Sequence, residues 1–125
     1  MSKRILVIED QEDNRRILRD LLSSVGYELI EAVTGPEGVA MAESHRPDLI
    51  LMDIQLPGLD GYEATRRIKA NPELRAIPII AVTSFALSGD DVKAFDAGCD
   101  GYITKPYNPR HLLAKVRQHL PLAGM

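Results

Sequence analysis

Short apolar runs alternate with longer stretches of helical periodicity along the chain, and this alternation is the feature that most restricts the fold. Apolar, β-branched runs separated by helical patterns predict parallel strands connected by helices. The predicted strands are Arg4–Glu9, Tyr27–Ala32, Asp48–Asp53, Ile77–Thr83 and Gly101–Thr104. The first, third and fourth are apolar almost throughout, which is typical of strands buried on both faces. We therefore expect an α/β fold with a doubly wound, five-stranded parallel sheet.

The residues at the ends of the helical stretches support the same division. Thr34 begins a capping box with proline in the first turn, and Asp60, Ser88 and Asn108 are predicted N-caps of further helices. Gly26 is expected to end the first helix, because glycine is common just past a helix C-terminus. No stretch between the elements is Gly/Ser-rich or of low complexity, so residues 1–125 are interpreted as a single domain with no output domain.

The composition is that of an ordered globular protein and argues against several functions. The 125 residues include 18 acidic and 15 basic side chains, which give a formal charge of −3 without the basic cluster of a nucleic-acid-binding surface. The apolar runs are far shorter than the roughly 20 residues of a membrane span. We expect a cytoplasmic protein that binds neither DNA nor membranes. Cys99, the only cysteine, and Phe95 are both predicted to be buried.

Polar residues stand where the predicted inner strands end. Glu9 and Asp10 end the first strand, Asp53 the third and Thr83 the fourth, and Lys105 directly follows the fifth. In open parallel sheets, functional groups gather at the carboxyl ends of the strands. If the first and third strands are neighbours, three carboxylates converge, and their mutual repulsion is costly unless a cation lies among them. Mg²⁺ fits this requirement, since it binds one or two carboxylates and shares oxygens with a phosphate.

A metal ion at these strand ends would allow an acyl phosphate to form on a carboxylate. The metal and the ammonium of Lys105 together would neutralise the oxygens of the transferring group. The hydroxyl of Thr83 and the backbone N–H of Ser84 offer hydrogen bonds to a remaining phosphate oxygen.

The same strand ends carry a set of longer motifs. These are Glu9-Asp10 after an apolar strand, Met52-Asp53-Ile54-Gln55-Leu56-Pro57-Gly58-Leu59-Asp60-Gly61, Val82-Thr83 and Tyr102-Ile103-Thr104-Lys105-Pro106. Together they strongly resemble the receiver domain of response regulators and, within that family, the stand-alone receivers of the DivK type. The resemblance covers essentially the whole chain. It implies the flavodoxin-like (CheY-like) strand order 2-1-3-4-5 with five helices.

The resemblance also implies a role for each residue of the site. Asp53 is the phospho-acceptor, Asp10 is a direct metal ligand, and Glu9 holds the metal mainly through water. The main-chain carbonyl of Gln55 supplies a further ligand to Mg²⁺. Lys105 pairs with the phosphate.

Further residues are assigned to switching and to phosphate lifetime by the same resemblance. Thr83 is the switching hydroxyl, and Tyr102 is the aromatic residue that turns inward when Thr83 moves. The Lys105-Pro106 peptide bond is expected to be cis. Gln55 and Phe85, each two residues past a site residue, lie where side chains govern the water that hydrolyses the phospho-aspartate.

The expected partners are proteins. A sensor histidine kinase or a histidine phosphotransferase would supply the phosphoryl group and face the start of the first helix near Gln11 and Asn14. A downstream protein would read the surface of the fourth helix, fifth strand and fifth helix, where Leu87, Lys93 and Lys115 are candidate contacts. The domain would assist its own phosphorylation and dephosphorylation without turning over a small molecule.

Three alternatives differ from this hypothesis. The chain could be a receiver module excised from a larger response regulator or hybrid kinase. A phosphatase of the haloacid dehalogenase type would have a second aspartate at position 55, where this chain has Gln55. A flavodoxin-like cofactor binder would need a phosphate-binding loop after the first strand, but Asp10-Gln11-Glu12-Asp13 is acidic and would repel a phosphate.

Overall fold

Five strands and five helices alternate along the chain in the computed structural model, which describes residues 3–84 and 90–121. The strands are β1 (Arg4–Ile8), β2 (Glu28–Ala32), β3 (Leu49–Asp53), β4 (Ile79–Thr83) and β5 (Gly101–Thr104). The helices are α1 (Glu12–Ser23), α2 (Gly35–His45), α3 (Gly61–Ala70), α4 (Asp90–Ala97) and α5 (Pro109–His119). The predicted N-cap Ser88, together with Phe85 and Leu87, lies outside the described residues.

All four strand pairings are parallel, in the order β2-β1-β3-β4-β5. The order that the resemblance implied is therefore confirmed. After β1 the chain first adds β2 on one side and then returns to place β3 on the other side, which puts the topological switch point between β1 and β3. Their register pairs Ile8 with Met52, so the residues just beyond both strands emerge side by side.

The predicted caps account for most of the helix starts. The side chains of Thr34, Asp60 and Asn108 accept hydrogen bonds from the backbone N–H groups of Glu37, Glu63 and Arg110. Helix α1 ends at Ser23, earlier than Gly26 suggested; Gly26 instead occupies the turn into β2 at φ +100°.

Two apolar clusters cover the two faces of the sheet. One packs buried residues of α2, α3 and α4 against one face, and the other packs Leu18 and Leu22 of α1 and Leu112 and Val116 of α5 against the opposite face. Adjacent residues of β1 divide between the clusters, Leu6 in the first and Val7 in the second, because successive side chains of a strand point to opposite faces. The burial of both faces explains why the inner strands are apolar throughout.

One predicted core residue is exposed. The side chain of Phe95 is 52% exposed, so the prediction that it is buried was wrong. Ala94 and Ala97, three positions apart on α4, face the core, and Phe95 lies about 100° around the helix from Ala94. Cys99 is 5% exposed and confirms its prediction. Among the described helices, none combines the length and the apolar character required to cross a bilayer.

Candidate functional site

The carboxyl edge of the sheet brings the predicted polar residues together from separate strands. Glu9 and Asp10 follow β1, and Asp53 is the last residue of β3; each offers a carboxylate oxygen within 4.8 Å of the others. Lys105, which follows β5, places its Nζ 2.8 Å from Glu9 Oε1 and 3.6 Å from Asp53 Oδ2. The backbone N–H of Lys105 donates to the carbonyl of Thr83, the last residue of β4.

The three carboxylates are close enough to hold a metal ion. Glu9 and Asp53 are 2% and 5% exposed, and Asp10 is half-buried. When all three are ionised, the ammonium of Lys105 offsets only one of their charges, so a further cation would lower their repulsion. The donors are oxygen atoms, which are the ligands that hard divalent cations such as Mg²⁺ prefer. The residues present therefore fit a divalent cation.

Glu9 is held by several donors. Its Oε2 accepts from the backbone N–H of Gln11 at 3.0 Å, and its Oε1 accepts from Asn14 Nδ2 at 3.2 Å and from Lys105. A carboxylate with this many hydrogen bonds has a fixed orientation at the end of β1. Gln11 directly precedes α1, and Asn14 lies in its first turn. From the sequence, both were assigned only to a protein-binding surface.

Arg15 is a second supporting residue that sequence reasoning missed. Its guanidinium donates to the main-chain carbonyl of Glu9 at 2.9 Å and lies 3.3 Å from Glu31 on β2. Glu31 also accepts two hydrogen bonds from Arg19, which hold the pKa of its carboxyl below the usual range. Arg15 and Arg19 are four positions apart and therefore lie on one face of α1. This spacing is the sequence signal that could have identified them as a pair.

Gln55 contacts two parts of the site through its two ends. Its backbone N–H donates to Asp53 Oδ1 at 3.0 Å. Its side-chain Oε1 accepts from the backbone N–H of Ser84 at 3.2 Å. One oxygen of Asp53 is therefore engaged by the β3–α3 loop, while the other faces Lys105.

Thr83 and Tyr102 share one side of the sheet. Thr83 is 1% exposed, and the β4–β5 register pairs it with Thr104 and pairs Ala81 with Tyr102. Alternation along each strand then puts the side chains of Thr83 and Tyr102 on the same face. Tyr102 is half-buried and packs against the cluster formed with α2, α3 and α4. The Lys105-Pro106 bond is cis, as the resemblance implied.

A groove of about 540 Å³ opens beside the carboxylates, between the start of α1 and the loop after β5. Its lining includes Asn14, Ile17, Lys105, Tyr107 and Pro109. Ile17 is 53% exposed there. Burial raises the pKa of Tyr107, and the nearby charge of Glu9 adds to this rise. The groove thus combines exposed apolar surface with Lys105, the ammonium that pairs with Glu9 and Asp53.

The sheet order and this carboxyl-edge cluster correspond to one known family. The sequence model of the response regulator receiver domain matches residues 5–117, and the chain belongs to that family of two-component signalling domains. It is 44% identical over 120 residues to the polar-differentiation response regulator DivK of Brucella anthropi, covering 96% of this chain and 98% of that protein. The chain is also 43% identical over 120 residues to DivK of Brucella ovis, again covering 96% of this chain and 98% of that protein.

Solved structures agree with this assignment. The receiver domain of the sensor histidine kinase PA1611 from Pseudomonas aeruginosa has a TM-score of 0.87 and 39% identity, covering 94% of this chain and 97% of that one. That domain was crystallised with a magnesium ion coordinated in its active site cleft. The chemotaxis protein CheY4 of Vibrio cholerae has a TM-score of 0.90 at 26% identity, with 96% of this chain and 100% of that chain covered. The fold is therefore that of CheY-like receivers.

Proposed function

We propose that the chain accepts a phosphoryl group on Asp53 from a phosphohistidine and switches protein contacts in a phosphorelay. The observation that carries this proposal is the environment of the Asp53 carboxylate. It is nearly buried, has one oxygen held by the Gln55 N–H and the other facing Lys105, and lies within the acidic cluster. The matches to DivK over 98% of its length support treating residues 1–125 as a single receiver domain.

Asp10, Asp53 and the main-chain carbonyl of Gln55 would hold Mg²⁺ directly, and Glu9 would hold it mainly through water. The fixed orientation of Glu9 supports a role in ordering such water. When bound, Mg²⁺ neutralises negative charge on the transferring phosphoryl group. The magnesium reported in the active site cleft of the PA1611 receiver supports the choice of metal.

The transfer itself would be a displacement at phosphorus. A carboxylate oxygen of Asp53 forms the new P–O bond while the P–N bond to the donor imidazole breaks, and the imidazole keeps the electron pair. Lys105, the Thr83 hydroxyl and the backbone N–H of Ser84 would stabilise the phosphoryl oxygens. The domain would thereby assist its own phosphorylation and later dephosphorylation, without turnover of a small molecule.

Two surfaces would serve protein partners. The groove at Asn14, Ile17 and Tyr107 opens beside the carboxylates, which supports it as the docking surface for the sensor kinase or histidine phosphotransferase. The face of α4, β5 and α5 would serve the downstream protein, with Lys93 and Lys115 as contacts. Exposed Val92 and Phe95 on α4 support this second assignment. Leu87 lies outside the described residues, and a cytoplasmic location stays a prediction.

The proposal is tested with ³²P-labelled phosphodonor and three proteins: wild type, Asp53→Asn and Asp96→Asn. Asp53→Asn should abolish labelling, because an amide is a poor nucleophile and a weaker metal ligand. Asp96→Asn makes the same chemical change at an exposed position of α4 and should label like wild type. EDTA should stop labelling of the wild type. Full labelling of Asp53→Asn, or labelling without any divalent cation, would contradict the proposal.

A further inference from the structure

The side chain of Gln55 occupies a hydrogen-bond donor that the proposed phosphoryl group would need. Its Oε1 lies 3.2 Å from the backbone nitrogen of Ser84, and its own backbone N–H holds Asp53 Oδ1 at 3.0 Å. The carboxamide is thus anchored at its base beside the acceptor carboxylate and reaches across to β4. A carbonyl oxygen and a phosphoryl oxygen are both acceptors, so each can satisfy the Ser84 N–H.

We propose that the Gln55 carboxamide is an internal competitor of the phosphoryl group for the Ser84 N–H. This inference rests on the proposed function. Before phosphorylation, the amide oxygen of Gln55 fills the position of a phosphoryl oxygen; on phosphorylation it leaves, and the Ser84 N–H passes to the phosphate. The side chain thereby sets how readily the site accepts a phosphoryl group or a mimic of one.

The location of this hydrogen bond limits the size of the effect. Ser84 is exposed and Gln55 is half-buried, so water can solvate both groups when they separate. Exchange of one such hydrogen bond changes an equilibrium constant by about two- to tenfold. Gln55 is accordingly a residue that tunes the affinity of the site for a phosphoryl group, and its loss should strengthen the binding of the phosphoryl mimic.

The test compares wild type with Gln55→Met, Gln55→Asn and Gln55→Glu. Methionine keeps the length of an unbranched side chain but is only a weak acceptor, and asparagine keeps the amide on a side chain too short to span the same distance. Glutamate keeps the acceptor and adds a charge that repels a phosphoryl group. Gln118→Met, an exposed position on α5, is the matched control.

Two quantities are measured by NMR on ¹⁵N-labelled protein with Mg²⁺: hydrogen exchange of the Ser84 amide without the mimic, and the affinity for beryllofluoride. Gln55→Met and Gln55→Asn should expose the Ser84 amide to faster exchange and bind beryllofluoride about two- to tenfold more tightly. Gln55→Glu should bind it more weakly, and Gln118→Met should match wild type.

The outcomes separate this inference from the proposed function. If wild type fails to bind beryllofluoride with Mg²⁺, the proposed function fails. If wild type binds it but Gln55→Met and Gln55→Asn bind no more tightly, the competition is refuted while the proposed function stands. An unchanged Ser84 amide in both variants would also overturn the inference, because the hydrogen bond would then be absent in solution.

Discussion

The ammonium of Lys105 lies closer to Glu9 than to Asp53, at 2.8 Å against 3.6 Å. Glu9 is almost fully buried just past β1, so this ion pair links the ends of β1 and β5 along the carboxyl edge of the sheet. Lys105 therefore acts as a positive charge fixed inside the acidic cluster. A metal ion that binds there does so in the presence of this charge.

Replacing Lys105 with methionine should have opposite effects on metal binding and on phosphorylation. Loss of the nearby positive charge should tighten Mg²⁺ binding by about three- to tenfold. Labelling by a small phosphodonor should slow by about 100-fold, because a group that stabilises charge in the transition state is gone. Calorimetric titration with Mg²⁺ and labelling rates check the two effects. Lys3→Met, at the other end of β1, is the control, and weaker Mg²⁺ binding by Lys105→Met would contradict the expectation.

Thr83→Ala should separate phosphorylation from switching. The acidic cluster is intact in this variant, so labelling should persist. The hydroxyl that we assign to the link between phosphate and Tyr102 is absent, and a coupling of about 1–3 kcal/mol should be lost. The measurement is the amide shift of Tyr102 on addition of beryllofluoride. Thr83→Ser keeps the hydroxyl and should respond like wild type; a wild-type response from Thr83→Ala would show that the hydroxyl is not the transmitter.

The thiol of Cys99 should be unreactive in the native protein. Burial raises its pKa to about 11, and Cys99 contacts Thr65 between α3 and the start of β5. A group with a raised folded-state pKa stabilises the protein below its unfolded-state pKa, and this contribution is lost as the pH rises from about 9 to 11. The free energy of unfolding of wild type should fall by up to about 2 kcal/mol more than that of Cys99→Ala in this range.

Urea unfolding of wild type and Cys99→Ala at several pH values measures this difference in unfolding free energy. Tyrosines that titrate in the same range are present in both proteins, so their contribution cancels in the difference. Alkylation of the thiol at pH 8 should be slow in buffer and fast in urea. Rapid alkylation of the native protein would mean that Cys99 is accessible.

Gly61→Ala should destabilise the junction between Asp53 and the loop that follows it. A Cβ at Gly61 would lie 2.5 Å from the carbonyl oxygen of Asp53 and 2.6 Å from the Cα of Ile54, so the backbone itself must shift. The expected loss is about 1–3 kcal/mol of unfolding free energy. Gly38→Ala is the comparison: its Cβ would lie 2.8 Å from the Cγ1 of the buried Ile8 and closer still to its Cδ1, so there a side chain must move and not the backbone. Urea midpoints should fall further for Gly61→Ala than for Gly38→Ala.

Much of the fold and of the acidic cluster could be predicted because both follow from simple periodicities. Apolar runs locate β1, β3 and β4, and the polar residue that ends each run must emerge at the carboxyl edge of a parallel sheet. The convergence of Glu9, Asp10 and Asp53 depended on one further fact, the adjacency of β1 and β3, which no local pattern encodes. The family resemblance provided the strand order.

The errors have a common physical cause in side-chain direction. Phe95 lies on an eight-residue helix whose small residues Ala94 and Ala97 form the inward face, and hydrophobicity alone favours phenylalanine for that face. The reach of Gln55 to Ser84 and of Arg15 to the Glu9 carbonyl likewise depends on rotamers and on loop geometry. Residue type alone determines neither the rotamer nor the loop conformation that makes these contacts possible.

The ion pair between Glu9 and Lys105 spans 96 residues of sequence, and the cluster around it draws on four of the five strands. Glu9, Asp10 and Asp53 all precede Lys105 in the order of synthesis, so any partly folded chain without β5 lacks the positive charge that lies among these carboxylates. The charge balance of the site is therefore completed only when β5 docks onto β4 and brings Lys105 to the carboxylates.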